Sequence, residues 1–272
     1  MKKITRPIAR AIRNIFRTVR DLSSNKTRFI RVNPFAKGKI LFFDKKKLTF
    51  FSLLSRGEID SSVLDTIFPK HVYNLEGMLR SQDIYCNYKS ILSLKQQPLI
   101  IDCGANIGAS TYFFSNEFPE ALVIGVELES NNAELAKKNN LIKDNVNIIH
   151  AAIGSGNGSV VISNPKEPHN DSFRASQNFD NEKGSIKMIT ISDIVKHHPD
   201  AIPFIVKIDI EGFEDDLFSR NTEWMNRFYL ITLEIHDWML PKKAVSRNFF
   251  REHSRQNRDC YLKGDMVFSV KN

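Results

Sequence analysis

Pro98-Leu-Ile-Ile-Asp-Cys-Gly-Ala-Asn-Ile-Gly108 is the stretch that decides the fold. Leu99–Cys103 is a short apolar run stopped by a glycine, the pattern of a strand buried on both faces and followed by a tight turn. A helix is predicted over residues 108–118, then a strand over 121–128, a capped helix over 130–140 and a third strand over 146–149. Residues 160–163 and 186–191 read as a strand pair flanking a polar loop. A fourth core strand (204–209), a helix (213–220), a fifth strand (228–235) and a helix (241–257) follow, and strands 261–263 and 266–270 close the chain as a hairpin around Gly264-Asp265. Strands alternating with helices at this spacing form a doubly wound, mostly parallel α/β sheet. Such sheets bind ligands beyond the carboxyl ends of their strands, so the residues at those ends carry the functional reading.

Gly104 permits the tight turn after the first strand, and Gly108 lets the next helix pack close. Glu127 ends the second strand 19 residues beyond Gly108, where an acid can accept hydrogen bonds from both hydroxyls of a ribose. A dinucleotide site needs G-x-G-x-x-G for its pyrophosphate. Here Asn106 stands at the middle glycine, and Asp102 would repel a pyrophosphate while favouring a ligand's ammonium group. S-adenosylmethionine, cationic and free of phosphate, suits this turn better than a nicotinamide dinucleotide. After the third strand, Ala152 and Ile153 in His150-Ala-Ala-Ile-Gly154 offer an apolar slot for an adenine.

Two further strand ends are charged. In Lys207-Ile-Asp-Ile-Glu-Gly212 the alternation puts Lys207, Asp209 and Glu211 on one face, and in Thr232-Leu-Glu-Ile-His-Asp237 it puts Glu234 and His236 on one face. Charges at the end of a central strand are costly to bury unless paired, so they line a site or form an ion pair. If the fourth and fifth strands are neighbours, Asp209, Glu234 and His236 gather beside the ligand.

Taken together, Asp102–Gly108, Glu127, Ala152–Gly154, Lys207–Gly212 and Glu234–His236 resemble the FkbM family of adenosylmethionine-dependent methyltransferases. The resemblance covers roughly residues 98–236 and departs at one point, Leu128, where the family commonly has proline. It implies a seven-stranded class I methyltransferase (Rossmann-like) sheet with an antiparallel last strand supplied by the closing hairpin. It also implies acceptors that are mostly hydroxyls on sugars, glycans or polyketide-like metabolites. On this reading residues 98–272 are the methyltransferase catalytic domain. Its cofactor-binding residues are Asp102, Gly104, Asn106, Gly108, Glu127, Ala152 and Ile153, and its catalytic residues Asp209, Glu211, Glu234 and His236. An alcohol is a poor nucleophile until its proton leaves, and Asp209 or His236 is the base, with Glu211 and Glu234 orienting it or binding the acceptor. A Mg²⁺ held by Asp209 and Glu234 is the alternative way to acidify the hydroxyl, though two ligands are no metal signature. The competing functions are a nucleotide-binding oxidoreductase and a non-catalytic, membrane-associated nucleoside-binding protein.

The formal charge of +8 is unevenly placed. Residues 1–20 hold seven basic residues and no acid, leaving 32 basic against 31 acidic groups elsewhere. A nearly neutral body argues against a nucleic-acid partner. Ile4, Ile8, Ile12, Ile15, Phe16, Val19 and Leu22 recur at helical steps between the cations, which predicts a basic amphipathic helix over 1–22. An anchor on an anionic membrane, a helix docked on the body and a targeting sequence all fit it. Residues 23–97 read as an accessory or cap segment, with strands at 40–43 and 48–54 and short helices over 60–95. The three scattered cysteines fit a reducing compartment, and no apolar run is long enough to span a bilayer. The expected location is cytoplasmic, with peripheral membrane contact if 1–22 anchors.

Overall fold

A computed structural model describes residues 27–33, 36, 38–163, 174–177 and 185–272. The basic helix expected over 1–22 lies outside the described residues, as does most of the polar loop before residue 186. The chain forms two compact units, residues 1–74 and 75–272.

In the first unit, strands β1 (Phe29–Arg31), β2 (Lys39–Asp44) and β3 (Thr49–Leu54) make an antiparallel sheet, and helix α1 (Glu58–Ile67) follows. Its core is aromatic: Phe29, Phe42 and Phe51 pack around Phe68 with ring centroids 4.9–5.2 Å from it. Arg28 grips both carboxylate oxygens of buried Asp44.

The second unit starts earlier than the cap-segment reading of residues 23–97 places it. Helix α2 (Ser81–Ser93) buries Ile84, Tyr88 and Ile91, an i, i+4, i+7 stripe. Tyr88 packs on Phe118 and Phe204, which ties the helix to the main sheet. That sheet is built from β4 (Gln97–Cys103), β5 (Leu122–Glu127), β6 (Val146–His150), β11 (Ala201–Ile208), β12 (Leu230–Glu234), β13 (Asp259–Lys263) and β14 (Met266–Val270). Helix α3 (Ala109–Glu117) joins β4 to β5, and α4 (Ser130–Asn139) joins β5 to β6. The strand order is β13-β14-β12-β11-β4-β5-β6. Pairings from β6 through β12 are parallel, while β14 runs antiparallel between β12 and β13. The seven-stranded, mostly parallel sheet with an antiparallel last strand is therefore present.

From central β4 the chain runs out to β5 and β6 on one side and returns to β11 and β12 on the other. The switch point lies between the ends of β4 and β11, where a doubly wound sheet opens a crevice. Buried Leu99, Ile101, Ile124, Val206, Ile208, Ile231 and Leu233 form the core that fixes these strand ends.

A second, four-stranded sheet, β7-β10-β8-β9, lies between β6 and β11 in sequence. It contains the expected pair, β8 (Gly158–Ser163) and β10 (Ile186–Ile189), plus β7 (Ala152–Ile153) and β9 (Arg174–Gln177). Strand β9 has no apolar alternation to betray it. Helix α5 (Ile191–His197) begins at Thr190, which forms a capping box with Asp193. Helix α6 spans only Glu214–Leu217, and α7 (Arg247–Arg255) starts late because Pro241, Lys242 and Ala244 interrupt it, the last two at φ 71° and 51°. Among the described residues no helix is long and apolar enough to cross a membrane.

Candidate active site

The first wall is the turn after β4. Gly104 has φ 77°, and a Cβ there would lie 1.8 Å from the carbonyl oxygen of Asp209, so only glycine lets the β4 and β11 loops touch. Asn106 also takes a left-handed conformation, φ 49°. Its N–H donates to Glu127 Oε2 at 2.7 Å, and the N–H of Glu129 donates to Glu127 Oε1 at 2.9 Å. Glu127 thus clamps two loops together, while Glu129 caps α4 by accepting from the N–H groups of Asn131 and Asn132. This bonding holds the turn with Leu128 in place of the family's proline.

Beneath the turn, Lys207 is only 1% exposed. Its Nζ donates to the Gly104 carbonyl at 2.7 Å and pairs with Asp102 Oδ1 at 3.1 Å and Asp209 Oδ2 at 3.3 Å. Asp102 is fully buried, and its Oδ2 accepts from Ser110 and Thr111 at 2.7 and 2.6 Å. It supports the turn from below and does not line the cleft, which differs from the expectation that it meets a ligand's ammonium. Gly108 is also set back: a Cβ there would lie 2.8 Å from the Cα of Ala136, so it serves the packing of α3 against α4.

The second wall follows β11 and β12, which are neighbours. His236 is 2% exposed, with Nδ1 2.8 Å from Glu214 Oε1. Its Nε2 faces Asp209, Glu211 and Glu234, with nearest oxygens at 3.5, 3.7 and 3.9 Å. Burial pushes the imidazole's pKa down, but the Glu214 hydrogen bond and the surrounding negative charges outweigh it and raise the value to about 9. Burial and the charge of Asp209 push Glu234 up to about 7 and also raise Glu211. Glu211 has φ 56°, strained for a side-chain-bearing residue. Gly212 follows at φ 95°, completing a turn that ends the strand alternation at Ile208.

Because the pKa values of Glu234 and His236 are both raised, the folded chain holds these protons more tightly than the unfolded chain does. Their stabilisation is complete below the unfolded values, 4.5 for Glu234 and 6.5 for His236, and is lost as pH rises through about 7 and about 9. Thermal melts should therefore show wild-type stability declining from pH 6 to pH 9.5, with a flatter decline in His236→Gln. Parallel curves for the two proteins would contradict this charge network.

Between the walls lies a cleft of about 650 Å³, open mouth included. Gly104, Asn106, Glu127, Ala152, Ile153, Asp209 and Glu211, all singled out in the sequence, line it. Glu234 and His236 stand behind Asp209. Sequence reasoning missed Asn132 and Phe213 in the lining and Glu214 behind His236. Asn132 had a signal: it lies in the first turn of the helix after Glu127, facing the same crevice. Asp209, Glu234 and His236 each place one potential ligand atom within 4.8 Å of the others, a spacing that would admit a cation.

A family model described as the methyltransferase FkbM domain matches residues 102–258. The chain belongs to the FkbM methyltransferase family. No curated protein sequence matches it significantly. Among solved structures this FkbM methyltransferase is similar to the O-methyltransferase TomG from Streptomyces achromogenes, involved in tomaymycin synthesis and solved with adenosylmethionine. That likeness has 12% identity and a TM-score of 0.40 over 80% of this chain and 92% of TomG. A methyltransferase from Geobacter sulfurreducens gives 14% identity and 0.38 over 81% of this chain and 93% of its own. A precorrin-6y C5,15-methyltransferase from Geobacter metallireducens GS-15 gives 14% and 0.37 over 72% and 92%. The span matched to the family runs from the buried Asp102 to Arg258 and so includes both walls of the cleft.

Proposed function

We propose that the protein moves a methyl group from S-adenosylmethionine to a hydroxyl of a neutral, polyhydroxylated acceptor, such as a sugar, a glycan or a secondary metabolite. The observation that carries this reading is the charge of the cleft. Glu127, Asp209 and Glu211 line it, and among the described residues no lysine or arginine does. The cations behind it, Lys207 and protonated His236, are buried and committed to carboxylates, Lys207 to Asp102 and Asp209 and His236 to Glu214 and Asp209. A pyrophosphate would meet carboxylates and nothing to neutralise it, which disfavours the oxidoreductase. Adenosylmethionine brings a sulfonium and an ammonium and meets complementary charge. The same field disfavours phosphorylated or acidic acceptors.

Ala152, Ile153, Leu128 and Phe213 supply an apolar slot of the kind an adenine fills. Glu127 accepts from the Asn106 and Glu129 N–H groups and from the Asn132 side chain, and a carboxylate has about four acceptor positions, so capacity remains for a ribose hydroxyl. We assign the donor site to these residues with Gly104, Asn106 and Asn132. Glu127→Gln is the cleaner test than alanine, since the amide keeps one acceptor for the loops. Donor affinity by calorimetry should fall about tenfold to 150-fold, as expected for roughly 1.5–3 kcal/mol of charged hydrogen bonding. Unchanged affinity in the folded variant would remove the ribose assignment.

The sulfonium makes the methyl group transferable; the chain's task is to align it with the acceptor and receive a proton. His236, with a pKa near 9, already holds its proton at neutral pH. Asp209 and Glu211 both line the cleft. We assign the base to Asp209, the one of the two whose carboxylate is held by both Lys207 and His236, with His236 the buried cation that positions it. The acceptor oxygen forms the new C–O bond, the C–S pair stays on sulfur, and the hydroxyl proton passes to Asp209. Incubating the purified chain with methyl-labelled donor and panels of neutral sugars, glycans and phenolic or polyketide alcohols tests the reading. Label transferred to a nitrogen or a carboxylate, with none on any alcohol, would overturn it.

A further inference from the structure

Residues 1–47 contain fifteen lysines and arginines against two acids, while residues 48–272 hold 24 basic and 29 acidic groups and are net negative. The positive excess therefore belongs to one stretch, and the described part of that stretch ends in the β2–β3 hairpin. Its loop, Lys45-Lys-Lys-Leu48, is closed by the pairing of Asp44 with Thr49. Asp44 Oδ1 accepts from the N–H groups of Lys46 and Lys47, and Arg28 holds the same carboxylate, so the loop has a fixed shape.

At the tip the sequence departs from what that shape favours. Leu48 has φ 52°, a left-handed conformation suited to glycine or asparagine, and its side chain is 75% exposed. Neither fact helps the fold. Phe50, two residues on, is 63% exposed beside its cross-strand partner Phe43, ring centroids 4.8 Å apart. Leu54, on the same side of β3 as Phe50, is also exposed. Solvent-facing Lys46 and Lys47 thus stand directly beside two large apolar side chains.

We propose that the β2–β3 hairpin is a docking tip for an anionic lipid bilayer, with Lys45–Lys47 at the headgroups and Leu48 and Phe50 entering the interface. The charge segregation selects an anionic partner. Phe50 would suit acyl chains or stacked bases alike, but Leu48 at the apex favours a bilayer, because leucine gains from acyl chains and gains nothing from phosphates or stacked bases. A second copy of the chain meeting this tip with its own would bring like charges together. The inference concerns the first unit alone and stands whether or not the methyl-transfer reading holds.

The test is sedimentation of the full chain with phosphatidylcholine–phosphatidylglycerol vesicles and with phosphatidylcholine alone. Wild type should bind the anionic vesicles, release with added salt and ignore the neutral ones. Changing Lys45, Lys46 and Lys47 together to glutamine should weaken partition on the order of 100-fold, roughly fivefold for each lysine. Leu48→Asn should also weaken it, about tenfold, while leaving the melting temperature unchanged or raised, since asparagine accepts the left-handed turn. That pairing of lost binding with retained stability is what a purely structural role cannot produce. Wild-type binding by the Leu48→Asn variant would overturn the proposal, even if residues 1–22 carry the chain to vesicles. Equal capture by neutral vesicles, or salt-sensitive capture of RNA with none of vesicles, would overturn it as well.

Discussion

Asp209→Asn is expected to reduce turnover of the true acceptor by roughly 10²–10⁴-fold, the usual worth of a positioned proton acceptor. The substitution is nearly isosteric, so it tests charge and basicity rather than shape. Asp209 is placed for this role from three directions. Its backbone N–H donates to the Cys103 carbonyl at 3.1 Å, and its carbonyl lies against Gly104. Its carboxylate is shared between Lys207 and His236, with Oδ2 3.3 Å and Oδ1 3.5 Å from their nitrogens. An asparagine keeps the backbone contacts and can still accept from Lys207, but it cannot take a hydroxyl's proton. Donor affinity measured by calorimetry should change severalfold at most, because Glu127 and the apolar slot are untouched. EDTA separates this reading from a cation bound by Asp209, Glu234 and His236. Activity that stops with EDTA and returns with Mg²⁺ would move the acidifying role to the metal, and EDTA-insensitive activity leaves it with the carboxylate. Near wild-type turnover by a folded Asp209→Asn would show that the reacting hydroxyl lies elsewhere.

The sheet was legible in the sequence because its central strands are buried on both faces, and a run such as Leu99–Cys103 ended by a glycine has few other readings. The cleft was legible because charge at the end of a buried strand is expensive unless a site or a partner explains it. What the sequence did not reveal was which explanation applied to each charge. Asp102 and Lys207 occupy matched register positions on neighbouring strands, so they meet each other beneath the turn, and Asp102 never reaches the cleft. Seeing this requires the strand order, which one-dimensional alternation does not contain. Glu214 escaped notice for a related reason. It belongs to a one-turn helix, shorter than the 213–220 that the sequence suggests, and it reaches His236 only because Glu211 and Gly212 reverse the chain after β11. The same reversal stops the alternation that would have put Glu211 squarely on the face of Lys207 and Asp209. In the first unit, β1 is three residues long, too short to show a period, although its Phe29 is central to that unit's core.

Replacing Lys207 with methionine should cost roughly 3–5 kcal/mol of stability, the usual result of removing one partner from a buried ion pair. Methionine fits the lysine stem, so the cost is electrostatic. Asp102, fully buried, would keep only the hydroxyls of Ser110 and Thr111, and the Gly104 carbonyl would lose its 2.7 Å donor. The carbonyl matters because Gly104 is wedged against Asp209, so loosening the turn on one side loosens the Asp209 loop on the other. For a chain of this size the melting temperature should drop by roughly 6–20 °C. A second substitution decides whether the loss comes from stranding Asp102. Asp102→Asn in the Lys207→Met background removes the orphaned charge and should recover more than half of the lost stability, whereas the same change in wild type should be destabilising, since it leaves Lys207 with less to neutralise it. The opposite signs make a double-mutant cycle with a large coupling energy, readable from denaturant midpoints. Additive costs for the two substitutions, or a Lys207→Met variant within about 1 kcal/mol of wild type, would mean that water or a rearranged turn satisfies Asp102 and that the lysine is not what holds the first strand end in place.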